Sequence, residues 1–254
     1  MPLRPRCSTR RPPSTHASAA PGRYNKKMYQ LYIANKNYSS WSLRPWVLLR
    51  ELRIPFVEHQ LFFGDPSGWD AYRKISPSGK VPLLIDGDTV VWDSLSIVEY
   101  LAERHDAIWP VQSAARAWAR SASAEMHSSF NELRNRCSMS CGIKVQLFEF
   151  PPALERDVAQ VGALWNEGLR RFGGPYLAGS AFTAVDAFYA PVAFRVQTYG
   201  LALDATADAY AKRLLGLESM KAWYADGVKE TIRDLPHEEE TLRLGTVLED
   251  LRAR

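Results

Sequence analysis

The sequence predicts a mixed α/β domain followed by an all-helical domain. Between residues 28 and 106, strand-like alternation and helix-like spacing of apolar residues follow one another in the order β-α-β-α-β-β-α. After about Asp106 the strand signals cease, and residues 113–230 show helical periodicity. A strand–helix–strand start and a hairpin end together predict a mixed sheet covered by helices.

The elements of the first domain are bounded by clear turn signals. The predicted strands are residues 29–34, 56–61, 81–85 and 89–92, and the predicted helices are residues 42–53, 68–75 and 94–104. The last two strands are joined by Asp86-Gly87-Asp88, a strong hairpin signal. These two strands are therefore expected to be antiparallel neighbours.

The second domain is predicted to be all-helical. Its predicted helices are residues 113–136, 154–172, 183–199 and 207–228. Thr183 and Asp186 have the spacing of a capping box, with Asp in place of the usual Glu, and are expected to start a buried helix rather than to take part in chemistry. The charged residues 231–254 are expected to form a loosely packed tail.

Residues 1–27 differ in composition from the rest of the chain. They are rich in Pro, Ser, Ala and Arg without apolar periodicity, and we predict that they are a disordered extension. They contain seven Lys or Arg and no acidic residue, whereas the remainder holds 25 basic and 28 acidic residues. We interpret Met28, which directly precedes the first strand, as the true start of the protein.

Composition excludes several classes of function. The apolar runs are far shorter than the roughly 20 residues that a membrane span needs, so no membrane partner is expected. The slightly acidic body gives no reason to expect nucleic-acid binding. The three cysteines, Cys7, Cys137 and Cys141, form no Cys-x-x-Cys pair, and we interpret the last two as ordinary, partly buried thiols. No metal site is expected.

The first segment that could carry chemistry is residues 37–44, Asn-Tyr-Ser-Ser-Trp-Ser-Leu-Arg, between a strand and a helix. The hydroxyl groups of Ser39 and Ser40 are expected beside the helix N-terminus, where N–H groups and the helix dipole favour an anion such as a thiolate. The alternative is that these serines cap the helix and do nothing more.

Two further segments follow in order. Residues 76–84, Ser-Pro-Ser-Gly-Lys-Val-Pro-Leu-Leu, contain Val81-Pro82 at the start of a strand. Taken alone, this segment favours an ordinary trans peptide bond, although a cis bond would leave the Val81 backbone able to pair with a peptide-like ligand. Asp93-Ser94 begins the next helix, either as a helix cap or as a site for a ligand carboxylate.

Together these segments resemble the cytosolic glutathione transferases. The resemblance is carried by residues 76–84 followed by Asp-Ser-x-x-Ile-x-Glu-Tyr-Leu at residues 93–101, and it covers nearly all of residues 28–228. It implies a thioredoxin-like first domain, a cis-proline at Pro82 and a cytoplasmic homodimer active in detoxification. It also implies that the Val81 backbone pairs with the cysteinyl part of glutathione. Ser94 with Asp93 would bind the γ-glutamyl end, and a basic residue near Lys80 would meet the glycine carboxylate.

The serine segment is most similar to the zeta class, which carries Ser-Ser-Cys-x-x-Arg. When Arg44 is aligned with the arginine of that motif, the catalytic serine falls at Ser39, with Ser40 as the alternative. Two positions depart from the class. Trp41 replaces its cysteine, and its substrate-binding arginine falls at Thr198, one helical turn from Arg195, which is the candidate substitute.

The resemblance implies a glutathione transferase that attacks a small electrophile with a serine-stabilised thiolate. Three alternatives stay open: a cis-trans isomerase of the maleylacetoacetate type, a non-catalytic glutathione-binding module and a thiol oxidoreductase. The electrophile is expected to meet side chains from residues 118–146 and 188–199. Within the first of these ranges, four residues recur at helical spacing and are expected mainly to face the core or the domain interface: Met126, His127, Phe130 and Arg134.

Overall fold

The computed structural model of the protein describes residues 28–253, and its first half follows the predicted order. The elements are β1 (Tyr29–Ile33), α1 (Ser40–Glu51), β2 (Phe56–Gln60), α2 (Pro66–Tyr72), β3 (Leu83–Asp86), β4 (Thr89–Trp92) and α3 (Ser94–Ala102). The prediction of a disordered extension falls on residues 1–27, which lie outside the described part, and the interpretation of Met28 as the start stays a prediction.

The four strands form one mixed sheet in the order β2-β1-β3-β4. β1 is parallel to β2 and antiparallel to β3, and β3 is antiparallel to β4. The parallel pair requires the crossover that α1 supplies, whereas β3 and β4 are joined by a tight turn. In that turn Gly87 has a φ of 60°, a left-handed conformation that glycine adopts without strain. The predicted hairpin and the thioredoxin-like arrangement are confirmed.

Helix α1 is buried on more than one side because it packs against both β1 and the central helix of the second half, α7 (Ala184–Tyr199). Leu43, Val47 and Leu48 on α1 have no exposed surface. The serine segment at the start of α1 therefore lies at the junction of the two halves, on a helix that contacts elements of both.

The second half is mainly helical, as predicted. Its helices besides α7 are α4 (Ser113–Ser128), α5 (Asn131–Arg136), α6 (Pro152–Phe172), α8 (Ala205–Leu215), α9 (Glu218–Lys229) and α10 (Leu235–Leu244). The predicted helix 113–136 is divided between α4 and α5, because Phe130 adopts a left-handed conformation with a φ of 57° that cannot continue a helix. The predicted helix 207–228 is divided near Gly216, because Leu217 is extended with a ψ of 141°.

The expectation of a second domain without strands needs correction. Strands β5 (Ile143–Leu147) and β6 (Gly245–Asp250) form an antiparallel two-stranded sheet, with Leu147 opposite Gly245. The expectation of a loosely packed tail is also wrong, because residues 231–253 contain α10 and β6. This tail packs closely enough that a Cβ atom on Gly64 would lie 2.3 Å from the carbonyl oxygen of Arg233.

The predicted capping box of α7 is present. The buried Asp186 carboxylate accepts hydrogen bonds from the backbone N–H of Thr183 (2.9 Å) and of Leu177 (3.0 Å) and from the Tyr210 hydroxyl (2.8 Å). These bonds fix the start of α7, which packs against α1, α4 and α8. The prediction that this box starts a buried helix is confirmed.

Candidate active site

Ser39 is the N-cap of α1. Its hydroxyl donates to Ser42 Oγ (2.8 Å) and accepts from the Ser42 backbone N–H (3.4 Å). Its own backbone N–H donates to the Asn35 carbonyl (2.8 Å), which closes the turn between β1 and α1. Ser39 is 4% exposed, whereas Ser40, the first helical residue, is half-buried. These bonds, together with the one that the Ser39 carbonyl accepts from the Leu43 N–H (3.2 Å), hold Ser39 at the positive end of a helix.

A first cleft of about 440 Å³ opens beside Ser39. The described residues that line it include the predicted Lys80 and Val81, together with Trp41, Phe63, Trp69 and Arg73. The Val81–Pro82 peptide bond is cis, as the resemblance implied, and the Tyr72 hydroxyl donates to the Lys80 carbonyl (2.6 Å). This cleft offers an exposed lysine and the residue that precedes the cis-proline next to the serine.

Asp93 and Ser94 form the N-terminus of α3. Asp93 has a φ of 74°, and its carboxylate accepts from the Leu95 backbone N–H (2.8 Å). Ser94 has no exposed surface, and its hydroxyl accepts from Arg44 Nη1 (3.3 Å). The structure therefore links Ser94 to the serine segment through Arg44. Neither Asp93 nor Ser94 is among the described residues lining the first cleft.

A second cleft, of about 240 Å³, is also lined by Ser39. Three arginines from three helices line it: Arg44 of α1, Arg134 of α5 and Arg195 of α7. Ser40 and Trp41 also line this cleft, and Ser39, Trp41 and Phe63 line both clefts. The predicted substrate residue Arg195 is therefore brought together with the predicted serine.

The three arginines outnumber the one acidic residue, Glu240, among the described residues that line this cleft. Within residues 28–253 none of them lies within 4.0 Å of a carboxylate oxygen. Burial and the nearby Arg195 and Arg134 lower the pKa of Arg44 to about 9, and burial lowers the pKa of Arg195 to about 10. Both groups stay charged at neutral pH. The buried Arg44 Nε donates no hydrogen bond to any described residue.

Neutral groups hold the arginines in place. Arg195 Nε donates to the Cys137 carbonyl (2.8 Å), and Arg134 Nη1 donates to the His127 carbonyl (2.9 Å). The Arg134 guanidinium carbon lies 5.1 Å from the centroid of the Trp41 ring. Carbonyls and an aromatic ring orient the cations without neutralising them, so this cleft is suited to an anionic ligand.

The C-terminal segment supplies a wall of this cleft. His237 and Glu240 of α10 line it, and the His237 ring stacks on Tyr38 (5.5 Å between centroids) and on Phe63 (5.6 Å). The Tyr38 hydroxyl donates to Glu238. Residues of the tail thus contact the loops after β1 and β2, and they help to form the candidate active site.

Several of these residues were missed from the sequence. Arg134 was expected mainly to face the core or interface, and His237 and Glu240 fell in the tail expected to be loose. One signal was available: Asp234 followed by Pro236 is typical of a helix start. Thr198, which stands at the position of the zeta-class arginine, is not among the described residues that line the second cleft. It is buried, and its hydroxyl donates to the Ser140 carbonyl (2.6 Å).

His127, Cys137 and Cys141 are not among the described residues that line either cleft. His127 Nε2 lies 3.6 Å from Asp93 Oδ2, and burial lowers the pKa of the imidazole. Cys137 and Cys141 are free thiols that are fully buried rather than partly buried, and burial raises the pKa of Cys137 to about 12. Such thiols are poor nucleophiles at neutral pH, which disfavours a thiol oxidoreductase using either of them.

Residues 28–253 contain no cluster of three or more His, Cys, Asp or Glu side chains arranged to hold a metal ion. In the same part of the chain no helix is both long and apolar enough to cross a membrane.

Comparison with known proteins identifies the two halves. Residues 38–104 match the family described as "Glutathione S-transferase, N-terminal domain", and residues 116–226 match "Glutathione S-transferase, C-terminal domain". A curated protein of Euphorbia esula named "Glutathione S-transferase zeta class" is 28% identical over 170 residues, which cover 66% of this chain and 75% of that protein.

Solved structures show the same architecture. A glutathione transferase homolog from Burkholderia gl BGR1, with bound glutathione, has a TM-score of 0.59 at 19% identity and covers 79% of this chain and 98% of its own. A glutathione transferase from Methylococcus capsulatus strain Bath has a TM-score of 0.60 at 21% identity and covers 79% of this chain and 100% of its own. At these identities the structural neighbours establish the fold and no more.

Proposed function

The chain belongs to the glutathione S-transferase family, and we propose that it is a transferase in which Ser39 stabilises the glutathione thiolate for attack on a small anionic electrophile. The observation that carries this proposal is the position of Ser39, which lines both clefts. A thiol bound in the first cleft would meet an electrophile bound in the second at this residue.

Ser39 can favour the thiolate through its hydroxyl group. The hydroxyl proton points to Ser42 Oγ in the structure, and rotation about the C–O bond would turn it to the sulfur of glutathione. A hydrogen bond to a charged group is worth roughly 1.5–3 kcal/mol, which corresponds to a thiol pKa lower by about one to two units. From about 8.5 this gives a substantial thiolate fraction at neutral pH.

Glutathione fits the first cleft by its chemistry. We assign the cysteinyl backbone to Val81 and the glycine carboxylate to Lys80, both of which line the cleft. We assign the γ-glutamyl carboxylate to the N-terminus of α3, where Asp93 and Ser94 lie. Ser94 accepts from Arg44 and still has its own proton to donate.

The second cleft favours an electrophile that carries a carboxylate, because its described lining holds three arginines against one acidic residue, Glu240. The sulfur would form a C–S bond with the electrophilic carbon, and either a leaving group departs or the adjacent carbon takes a proton from water. If the C–S bond breaks again after rotation about a former double bond, the product is an isomer and glutathione is regenerated.

That second outcome is the reaction of a maleylacetoacetate-type isomerase, which we keep as the alternative function. It is supported by the three arginines of the second cleft, which we also call the arginine cleft, and by the similarity to a zeta-class protein. Neither reaction uses a metal. A homodimer, a cytoplasmic location and a role in detoxification stay predictions from the sequence.

The proposal is tested with Ser39→Ala and Ser40→Ala. We expect Ser39→Ala to raise the pKa of bound glutathione by about one to two units, measured by ultraviolet absorbance of the thiolate, and to lower kcat at neutral pH. Ser40→Ala should retain both values. The reverse result would assign the role to Ser40, and an unchanged thiol pKa in both variants would exclude serine activation.

A substrate panel separates transferase, isomerase and binding module. It should include acidic and uncharged electrophiles as well as maleylacetoacetate and its analogues. Conjugates would support the transferase, and isomerised product with recovered glutathione would support the isomerase. Binding to immobilised glutathione without any turnover would favour a non-catalytic module.

A further inference from the structure

Glu230, just after α9, contacts the loop between β1 and α1. Its Oε1 accepts a hydrogen bond from the backbone N–H of Lys36 (2.6 Å), and its Oε2 accepts from the backbone N–H of Asn37 (3.1 Å). The Gln60 side chain also donates to Oε1 (2.5 Å). Glu230 is 9% exposed. One carboxylate from the helical half thus satisfies two consecutive backbone donors in the sheet domain.

These two donors belong to the turn that ends at Ser39. Inside the turn the Asn35 carbonyl accepts from the N–H groups of Tyr38 (3.2 Å) and Ser39 (2.8 Å). The N–H groups of Lys36 and Asn37 point away from the turn and find their acceptors on Glu230. A buried backbone N–H that lacks an acceptor is strongly disfavoured. Glu230 therefore fixes the conformation of the turn from outside.

The end of α9 is pressed against the same loop. A Cβ atom on Gly227 would lie 3.2 Å from the Asn37 nitrogen and 3.3 Å from the Lys36 carbonyl carbon, which is tighter than ordinary contact. Asp226 makes a different contact, because its carboxylate pairs with the side-chain Nζ of Lys36 (2.7 Å) and not with a backbone N–H of the loop. Lys36 Nζ is also paired with Glu58 (2.8 Å).

We propose that Glu230 is a positioning residue that acts through the Lys36–Asn37 backbone to hold Ser39 at the distance a bound thiolate requires. This inference rests on the proposed role of Ser39 and goes beyond it, because it assigns part of the thiol activation to a residue about 190 positions later in the chain. Gln60 secures the carboxylate from the β2 side.

The matched variants are Glu230→Gln and Asp226→Asn in the full-length chain. Glutamine keeps the shape of Glu230 but offers one acceptor oxygen, and its NH₂ group would face a backbone donor. Asparagine at position 226 weakens a neighbouring contact to the Lys36 side chain. Three readouts are compared with wild type: amide hydrogen exchange of residues 35–40, the pKa of bound glutathione, and kcat and KM separately.

For Glu230→Gln we expect faster exchange of the Lys36, Asn37 and Ser39 amides and a bound-thiol pKa higher by about one unit. We also expect a roughly tenfold lower kcat, as misplacement of a catalytic group produces, with little change in KM for the electrophile. Asp226→Asn should resemble wild type in all three readouts. Glu230→Asp, which keeps both acceptor oxygens, should recover part of the loss.

Failure of this inference differs from failure of the proposed function. If Ser39→Ala raises the thiol pKa but Glu230→Gln leaves it unchanged while both proteins stay folded, Glu230 has no positioning role. If the thermal unfolding temperature falls equally in Glu230→Gln and Asp226→Asn and their kcat values fall in parallel, the loss of activity is caused by lower stability. That result would also overturn the inference. If Ser39→Ala itself has no effect, the serine mechanism fails first.

Discussion

The guanidinium carbon of Arg44 lies 4.2 Å from the centroid of the Trp41 ring. Trp41 is the residue that departs from the Ser-Ser-Cys-x-x-Arg pattern of the zeta class. In this chain the aromatic ring stabilises a buried cation, a contact worth about 0.5–2 kcal/mol. Tryptophan in place of the zeta-class cysteine therefore adds a contact that stabilises the charge of Arg44. It does not obstruct Ser39, which lines both clefts.

The arginine cleft can be tested by charge removal at Arg134, which is partly exposed. We expect Arg134→Met to raise KM for a carboxylate-bearing electrophile about tenfold, the equivalent of one charge-assisted hydrogen bond. KM for an uncharged electrophile should change little. Initial-rate kinetics with both substrates provide the measurement.

The control for that experiment is Arg136→Met. Arg136 lies on the same helix, pairs with Glu132 (2.9 Å) and is not among the described residues lining the cleft. It should leave both KM values unchanged. Equal rises for charged and uncharged electrophiles in Arg134→Met would show that the arginine shapes the cleft without binding an anion.

The start of α7 has a pH-dependent contribution to stability. Burial raises the pKa of Asp186 to about 6, from an ordinary value of 3.8. Because the folded-state pKa is the higher one, this contribution is fully present below about pH 4 and is lost as the pH rises through about 6. A shift of about two units corresponds to roughly 3 kcal/mol.

Asp186→Asn isolates this effect, since asparagine does not titrate. We expect the free energy of unfolding of wild type, relative to the variant, to fall by roughly 2–2.5 kcal/mol between pH 4 and pH 7. Urea unfolding at several pH values measures it. A difference independent of pH would mean that the carboxylate has the same pKa in the folded and unfolded chain.

The packing of the C-terminal segment against the loop after β2 is tested at Gly64. A Cβ there would lie 2.3 Å from the Arg233 carbonyl oxygen. We expect Gly64→Ala to destabilise the protein by about 1–3 kcal/mol because backbone must move. In Gly68→Ala the new Cβ meets Leu61 at 3.5 Å, an ordinary contact, and the helical alanine should stabilise by about 0.5–1 kcal/mol.

Urea unfolding compares the two alanine variants. If Gly64→Ala proved as stable as Gly68→Ala, the segment at residues 231–233 would be packed less tightly in solution than in the structure. A fall in kcat of Gly64→Ala alongside its lower stability is also expected, since His237 of α10, a few residues after Arg233, lines the second cleft.

Local sequence signals predicted the sheet domain well. Alternation of apolar residues, the turn at Gly87 and the helix cap at Ser39 are each encoded within a few neighbouring positions. The break at Phe130 could not be predicted in this way, because a left-handed aromatic residue is imposed by tertiary packing and has no glycine to indicate it. Sequence patterns were sufficient where the physical cause was local.

The candidate site was predictable in part for the same reason. Ser39, Lys80 and Val81 lie in short motifs, and the structure places all three around one cleft. The arginine cleft depends on three helices converging, and Glu230 contacts residues almost 200 positions away, so neither has a local pattern. The pairing of β5 with β6 likewise joins segments about 100 residues apart.

The contact between Glu230 and the loop before Ser39 has a consequence for biosynthesis. A ribosome delivers the sheet domain first, yet the acceptors for the Lys36 and Asn37 backbone come from the last part of the described chain. A nascent polypeptide halted before position 230 would carry the serine without the carboxylate that holds its loop. Under the role proposed for Glu230, activation of the thiol by Ser39 would be complete only after translation has passed that point, and chains terminated earlier would lack this contribution.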